Sequence, residues 1–171
     1  MALMIVEGAV AERGAASALT SKDTVTDAVQ VTGAAYTFVR FAKASARDVE
    51  LQAVVADLTL DPHLAVMQAG RYAFYRHGET LVLCGYFDGT SLIVLDAARD
   101  PAVIEAGVQR TLAKRKIFWG VVMIPTFILI TFGIDKIKEG RRRLTDSPMP
   151  RRPVEAKIRR ALERGKTGLW R

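Results

Sequence analysis

The longest uninterrupted apolar stretch of the chain lies at residues 117–134, which read IFWGVVMIPTFILITFGI. These 18 residues carry no charge. A helix of this length spans about 27 Å, which is close to the bilayer hydrocarbon thickness of roughly 30 Å. A helix that is apolar all round is rarely buried in so small a protein. The stretch therefore predicts one transmembrane segment at 117–134 and a single-pass membrane protein.

Pro125 stands in the middle of this apolar stretch. A proline in a helix interior removes one hydrogen bond and clashes with the preceding turn. Membrane helices tolerate it when a nearby hydroxyl satisfies the freed carbonyl, and Thr126 and Thr131 offer such hydroxyls. A kinked span is the favoured interpretation, and a re-entrant hairpin with both ends on one side is the alternative.

The charge changes sign along the chain. Residues 1–113 carry nine Lys and Arg against 13 Asp and Glu, whereas residues 114–171 carry 16 against five. Because positive charge beside a span stays in the cytoplasm, we expect a cytoplasmic basic tail at 135–171. The side of the N-terminal domain stays open, since residues 1–19 lack the basic n-region of a signal peptide and export of so long a segment without one is unusual.

Short strands are predicted across the N-terminal domain at 1–100. Asp88 and Gly89 stand between the apolar runs LVLCGYF and SLIVL. Asp-Gly supplies the positive φ angles of a type I′ hairpin turn, and residues 76–79 offer a similar bend. The pattern predicts a three-strand meander, with strands at 72–75, 80–87 and 91–95.

Two further strands are predicted upstream, at 29–41 and 48–60, although the second is also compatible with a helix, and residues 4–11 are a candidate for another strand. Gly33 is typical of a bulge or a sharp bend in a strand, and residues 21–27 predict a helical turn or a loop. The predicted fold is α+β: a small five-stranded antiparallel OB-like barrel or meander, followed by a long helix that continues into the span and by a basic helical tail. A β-sandwich fragment is the alternative.

The stretch ETLVLCGYFDGTSLIVLDAARDP, followed by a predicted helix and the apolar segment, resembles the end of a GIDE-type (BAM) domain. The likeness covers residues 29–134 and implies a small β-rich domain that is presented at a membrane. Two features differ from the family pattern. Members usually have a span before the domain, which residues 1–28 do not supply, and the ubiquitin-ligase members carry a cysteine-rich zinc module, whereas this tail has no cysteine. The resemblance therefore implies an interaction domain and argues against ligase activity.

A connector helix is predicted at 101–116, because Asp100 is a favourable N-cap and Pro101 suits a first helical turn. The basic tail contains a short amphipathic helix at 154–164. Its apolar stripe is formed by Val154, Ile158, Ala161 and Leu162. We expect this helix to lie on anionic lipid, and a solvated tail that only sets topology is the alternative.

Contacts with lipid headgroups are predicted for the basic side chains of the tail and for one tryptophan. Each Lys or Arg near an anionic surface contributes about 1 kcal/mol, and tryptophan prefers the membrane interface. The predicted contact residues are Lys136, Lys138, Arg141, Arg142, Arg143, Lys157, Arg159, Arg160, Arg164 and Trp170.

The sequence contains no motif for catalysis or metal binding. GxxxxGK[ST], GxGxxG, GxSxG and HExxH do not occur. The single Cys84 and the two histidines, His63 and His77, leave little for a metal site. We therefore expect no enzyme activity and no cofactor.

The predicted function is that of a single-pass membrane-anchored adaptor or scaffold. Its β-rich domain binds a protein partner or a second copy, and its basic tail contacts anionic membrane lipid. The alternative is a membrane-tethered OB-like module that binds a ligand or nucleic acid. Nucleic acid is disfavoured because the N-terminal domain is acidic and the tail lacks the interleaved aromatic residues on which bases stack.

Overall fold

The computed structural model describes residues 3–22, 29–43, 46–123, 130–146, 152–165 and 168–170. The chain forms two compact units. The β unit comprises residues 1–102 and 151–171, and the helical unit comprises residues 103–150. The chain therefore leaves the β unit, forms the helical unit, and returns to the β unit with its basic C-terminal part.

The β unit contains one mixed sheet of eight strands in the order β2-β3-β4-β6-β5-β1-β8, with β7 paired to β6 and a further pairing between β1 and β3. Only β4 and β6 pair in parallel among the described strands. The strands are β1 (Leu3–Arg13), β2 (Ala16–Lys22), β3 (Val29–Lys43), β4 (Ala46–Asp57), β5 (Ala69–His77), β6 (Thr80–Phe87), β7 (Leu92–Val94) and β8 (Gly168–Trp170). The helices are α1 (Pro101–Met123), α2 (Ile130–Asp146) and α3 (Glu155–Arg164), with 3-10 turns at Asp61–Leu64 and Ala97–Arg99.

The predicted five-stranded antiparallel OB-like barrel or meander is wrong. The sheet is mixed, has more strands than predicted and is not a barrel. The pattern missed β2 and β8. β2 is rich in alanine and serine rather than in β-branched and aromatic residues, and β8 comes from the basic tail and depends on pairing with the distant β1.

The strands predicted at 4–11, 29–41 and 48–60 correspond to β1, β3 and β4. A register shift between Leu19 and Thr20, opposite Gly33, confirms the predicted bulge. A Cβ atom at Gly33 would lie 2.1 Å from the carbonyl oxygen of Ala56, so this position tolerates no side chain. The turn predicted at 21–27 lies mostly outside the described residues.

The two predicted hairpins are present as β5–β6 and β6–β7. The second hairpin has a four-residue loop at 88–91 and not a two-residue type I′ turn, so that detail was wrong. The Oδ1 atom of Asp88 accepts hydrogen bonds from the backbone N–H groups of Thr90 and Ser91, at 2.8 and 2.6 Å. Gly89 adopts a φ of +102°, which favours glycine. These bonds lower the pKa of Asp88, with the Ser91 N–H contributing most.

The sheet buries residues on both faces. Along β1, Val6 and Val10 belong to one core cluster, whereas Leu3 and Ile5 belong to the other. This alternation is expected for a strand that is covered on both sides. The first cluster is rich in aromatic residues, and its ring pairs include Phe41–Tyr72, Phe41–Phe74 and Tyr72–Tyr86 at centroid separations of 4.8, 6.0 and 5.1 Å.

Helix α3 covers part of the second face. Ile158, Ala161 and Leu162 are buried there beside Leu3, Ile5 and Tyr75, among others. The apolar stripe of α3 therefore packs on the protein's own sheet, and the expectation that it faces lipid was wrong. These three side chains of the stripe are withdrawn from solvent and cannot also face lipid, whereas Val154, the fourth residue of the predicted stripe, is exposed.

The predicted single transmembrane segment at 117–134 is wrong, and with it the single-pass localisation. None of the helices in the described residues has the length and apolar character needed to cross a bilayer. The apolar stretch is divided, since α1 ends at Met123 and α2 begins at Ile130. In addition, β8 pairs with β1, whereas a single span would place those two strands on opposite sides of a membrane. The kink predicted at Pro125 lies outside the described residues.

Candidate functional site

The helical unit is an antiparallel pair of helices that meet through glycines. A Cβ atom at Gly120 of α1 would lie 2.7 Å from the carbonyl oxygen of Gly133 in α2. A Cβ atom at Gly140 would lie 2.9 Å from the carbonyl oxygen of Ala113. The end of α1 thus packs on the start of α2, and the two helices approach more closely than larger side chains would permit.

One ion pair joins the same two helices, and two further pairs lie within α2. The carboxylate of Glu139 accepts a hydrogen bond from Lys116 of α1 and another, at 3.1 Å, from Arg143 of α2. The bond from Lys116 is the main cause of a lowered pKa for Glu139. A further pair on α2, between Arg142 and Asp146 at 3.5 Å, is strongly exposed and contributes little to stability.

Large apolar side chains are exposed at the end of this hairpin where the chain passes from α1 to α2. Because folded proteins rarely leave contiguous apolar patches in water, these side chains are a candidate interaction surface. We call this set the apolar end. Its members, with their exposed fractions, are Phe118 (62%), Trp119 (45%), Val121 (54%), Val122 (47%) and Ile134 (41%).

Basic side chains follow the apolar end along both helices, at axial distances of about 3–12 Å from its nearest member at 1.5 Å per residue. We call this set the basic girdle. The helical unit carries nine Lys and Arg against four Asp and Glu, a formal net charge of +5. The girdle consists of Lys114 and Arg115 on α1 and of Lys136, Lys138, Arg141 and Arg142 on α2.

The predicted headgroup-contact residues are divided between the two units. Lys136, Lys138 and Arg141 to Arg143 lie on α2, beside the apolar end. Lys157, Arg159, Arg160 and Arg164 lie on α3, whose apolar side faces the sheet, and Arg159 pairs with Glu155 at 3.4 Å. Trp170 lies in β8, and its side chain is outside the description.

Sequence reasoning missed the apolar end as a surface, because Val121, Val122 and Ile134 were assigned to the interior of a span. The glycine spacing was an available signal. Gly133 and Gly140 are seven residues apart and therefore lie on one face of a helix, as small residues at a close helix contact do.

A second polar network lies in the β unit around Tyr36. The Tyr36 hydroxyl donates to Asp61 Oδ1 at 2.5 Å and accepts from Arg13 Nη1 at 3.1 Å. Burial, followed by the bond to Asp61, raises the pKa of Tyr36 from 10.0 to about 12. The Arg13 guanidinium also lies over the Tyr36 ring, 5.5 Å from its centroid. A tyrosine that stays protonated to such high pH is a poor base near neutrality. The network links β1, β3 and the turn at Asp61–Leu64.

We expect the stability of the β unit to fall as the pH rises from 10 to about 12. Over that interval Tyr36 is already ionised in the unfolded chain and still protonated in the folded one, so unfolding releases a proton. NMR of ring-labelled tyrosine measures the titration. Asp61→Asn should lower the pKa of Tyr36, and an unchanged titration in that variant would contradict the assigned cause.

A third polar cluster is centred on Asp100, which is fully buried. Its Oδ1 accepts from the backbone N–H of Ala102 at 3.0 Å, and its Oδ2 accepts from the Tyr75 hydroxyl at 2.6 Å. The Arg152 Nε lies 3.5 Å from Oδ2. Burial, followed by the bond to Asp100, raises the pKa of Tyr75. The cluster joins the sheet, the start of α1 and the returning C-terminal segment around one carboxylate.

The remaining sequence candidates lie in packed positions. The Cys84 thiol is buried and donates to the carbonyl oxygen of Ala73 at 3.2 Å, and burial raises its pKa, so it is a poor nucleophile. The His63 ring stacks on Tyr86 with 4.3 Å between centroids. Within the described residues, no three His, Cys, Asp or Glu side chains come together as a metal site.

Comparison with known proteins leaves the family of this chain open. The sequence-based resemblance to GIDE-type domains therefore stays a prediction. No family model, curated protein or solved structure matches the chain.

Proposed function

We propose that this protein is a non-catalytic adaptor that attaches to one face of an anionic lipid surface through its helical unit. The apolar end enters the boundary between headgroups and acyl chains without crossing the bilayer. The basic girdle then lies among the headgroups. The β unit is held at the surface, where it binds a protein partner.

The observation that carries this proposal is the exposure of the apolar end. Five large apolar side chains, two of them aromatic, are 41–62% exposed at one end of a helix pair. Transfer of such side chains from water contributes about 1.5–3 kcal/mol for each one fully buried. Phe118 and Trp119 are residue types that interfacial helices use on their apolar side.

The spacing of the girdle supports lipid as the occupant. Helices that lie at an interface bury their apolar side by about 5–10 Å. The cations of the girdle stand about 3–12 Å from the apolar end along the helix axes, a range that includes this depth. An anionic membrane surface has an apolar layer beneath its charged headgroups. The aromatic side chains of the apolar end and the cations of the basic girdle follow each other in the same order. Asp135, an exposed acid, lies between the two sets.

The glycine contacts support insertion of the two helices as one body. The close approach at Gly120 and Gly140, together with the Lys116–Glu139 ion pair, joins α1 to α2. A rigid pair loses less conformational entropy on binding than two independent helices do. Both helices therefore bring their apolar residues to the surface together.

Flotation with lipid vesicles tests the proposal on the full chain. We expect binding to vesicles that contain phosphatidylserine, weaker binding to phosphatidylcholine alone, and loss of binding at high salt. Trp119→Ser should weaken binding about tenfold, because one large apolar side chain contributes about 1.5 kcal/mol or more. Met67→Ser is the matched control, since Met67 is 82% exposed but belongs to the β unit.

A paired charge test separates the two groups of predicted contact residues. Arg141→Gln with Arg142→Gln should weaken binding about 30-fold, at about 1 kcal/mol for each charge near the surface. Arg159→Gln with Arg160→Gln on α3 should have a smaller effect. Equal binding to neutral vesicles, or a larger loss for the α3 pair, would contradict the proposal. Self-association that requires Trp119, without vesicle binding, would assign the apolar end to protein contacts instead.

A further inference from the structure

The outer face of the sheet in the β unit is only partly covered by α3. The helix covers the part of this face formed by Leu3, Ile5, Ala73 and Tyr75, among others. It ends at Arg164, and Gly165 follows in a left-handed conformation with φ +64°. Beyond this end the same strands continue, and a groove of about 550 Å³ lies over them. A cavity of this size is typical of sites for small organic ligands.

The floor of the groove is a row of three alanines across neighbouring strands. Ala42 of β3 pairs with Ala9 of β1, and Ala9 pairs with Ala69 of β5. Directly paired residues project on the same side of a sheet. Gly8 and Gly70 pair next to this row and also line the groove. The floor is therefore apolar and formed by small side chains.

One wall of the groove is a second row, Glu7–Arg71–Phe87, across β1, β5 and β6. The Arg71 guanidinium lies 5.7 Å from the centre of the Phe87 ring and 3.4 Å from the Glu7 carboxylate. It also donates to the carbonyl oxygens of Leu162 and Glu163, at 3.1 and 3.3 Å. The hydrogen-bonding capacity of Arg71 is thus largely used to hold the end of α3.

The β3 side of the groove carries Lys43, the cation that is available to a ligand. Lys43 lines the groove, and its Cγ would lie 3.7 Å from a Cβ atom at Gly8. In the described part of the chain, no carboxylate forms an ion pair with Lys43. Asp88 also lines the groove. Its Oδ1 atom accepts hydrogen bonds from backbone N–H groups of its own loop.

We infer that this groove binds a small organic anion with a flat apolar body and one carboxylate. The apolar body lies on the alanine floor against the Phe87 ring, which excludes water from both. The carboxylate accepts a charge-assisted hydrogen bond from the Lys43 ammonium. This site belongs to the β unit alone and does not depend on the lipid contact proposed for the helical unit.

NMR titration of the full chain with naphthoate tests the inference, because amide shifts report where the probe binds. We expect saturable shifts at Gly8, Ala9, Ala42 and Gly70 and none that saturate at the apolar end. The neutral analogue naphthamide should bind about tenfold more weakly, which corresponds to the loss of one charge-assisted hydrogen bond. Lys43→Gln should weaken naphthoate by a similar factor and leave naphthamide unchanged.

A second variant keeps the test decisive. Ala69→Leu places a larger side chain on an exposed floor position and should abolish the groove shifts while the rest of the spectrum is preserved. Arg76→Gln, at an exposed cation of β5 outside the groove, is the control for Lys43→Gln. Equal affinity for naphthoate and naphthamide, shifts confined to the apolar end, or no shifts at millimolar probe would each overturn the inference.

Discussion

Replacement of Asp100 by alanine is expected to lower the free energy of unfolding by about 3–5 kcal/mol, which is the usual cost of removing one member of a buried charge pair. The carboxylate accepts from Tyr75 and Ala102 and faces Arg152. Its removal leaves the Arg152 side chain, which is only 12% exposed, without its counter-ion. The Tyr75 hydroxyl loses its partner, and α1 loses its cap.

Urea unfolding followed by circular dichroism measures this loss. Asp96→Ala is the matched control, because Asp96 is exposed and accepts one backbone hydrogen bond, from Ala98 at 3.2 Å. We expect that change to cost about 1 kcal/mol or less. Asp100→Asn, which keeps an oxygen for the Ala102 N–H but loses the charge, should fall between the two. If Asp100→Ala is no more damaging than Asp96→Ala, the cluster contributes no net stability.

Replacement of Gly120 by leucine is expected to destabilise the helical pair by about 3 kcal/mol, at the upper end of the usual cost of overpacking. A Cβ atom at this position would lie 2.7 Å from the Gly133 carbonyl oxygen and 2.7 Å from Ile137 Cγ1. Backbone cannot yield as a flexible side chain does, so α1 and α2 must separate. Faster amide hydrogen exchange at residues 133–140 would report the separation.

Gly107→Leu serves as the control within the same helix. A Cβ atom at Gly107 meets no other atom within 4 Å. Because glycine is a poor helix former, this change should stabilise α1 by roughly 1 kcal/mol. Opposite signs for the two substitutions are the expected result. Similar effects at Gly107 and Gly120 would show that helix propensity, rather than contact between α1 and α2, decides the outcome.

Local patterns predicted much of the β unit. Alternating apolar residues and turn residues such as Gly78 and Asp88 placed the β5–β6–β7 meander, because hairpin contacts are close in sequence. The bulge at Gly33 and the helix cap at Asp100 were also predicted, because each depends on residues that are close together in the chain. The parallel pairing of β4 with β6 left no local signal, since it joins strands that are separated by β5.

The apolar stretch at 117–134 was interpreted wrongly for a physical reason. A run of 18 apolar residues has the length of one bilayer-crossing helix. In the described parts of the same run, which lie in two helices, Gly120 and Gly133 are buried in the helix contact and the larger side chains of the apolar end are exposed. Hydropathy alone does not distinguish these arrangements, because it records composition and not which residues face each other.

The sequence by itself determined the basic and apolar character of residues 103–150, the hairpins of the sheet and the helix at 155–164, because each follows from residues close together in the chain. Only the tertiary structure decided that the C-terminal segment returns to β1 and that α3 buries its stripe on the sheet. The tertiary structure also decided that the side chains of the apolar end are exposed. These features arise from contacts between distant residues, whose pairing is selected by total burial rather than by local preference.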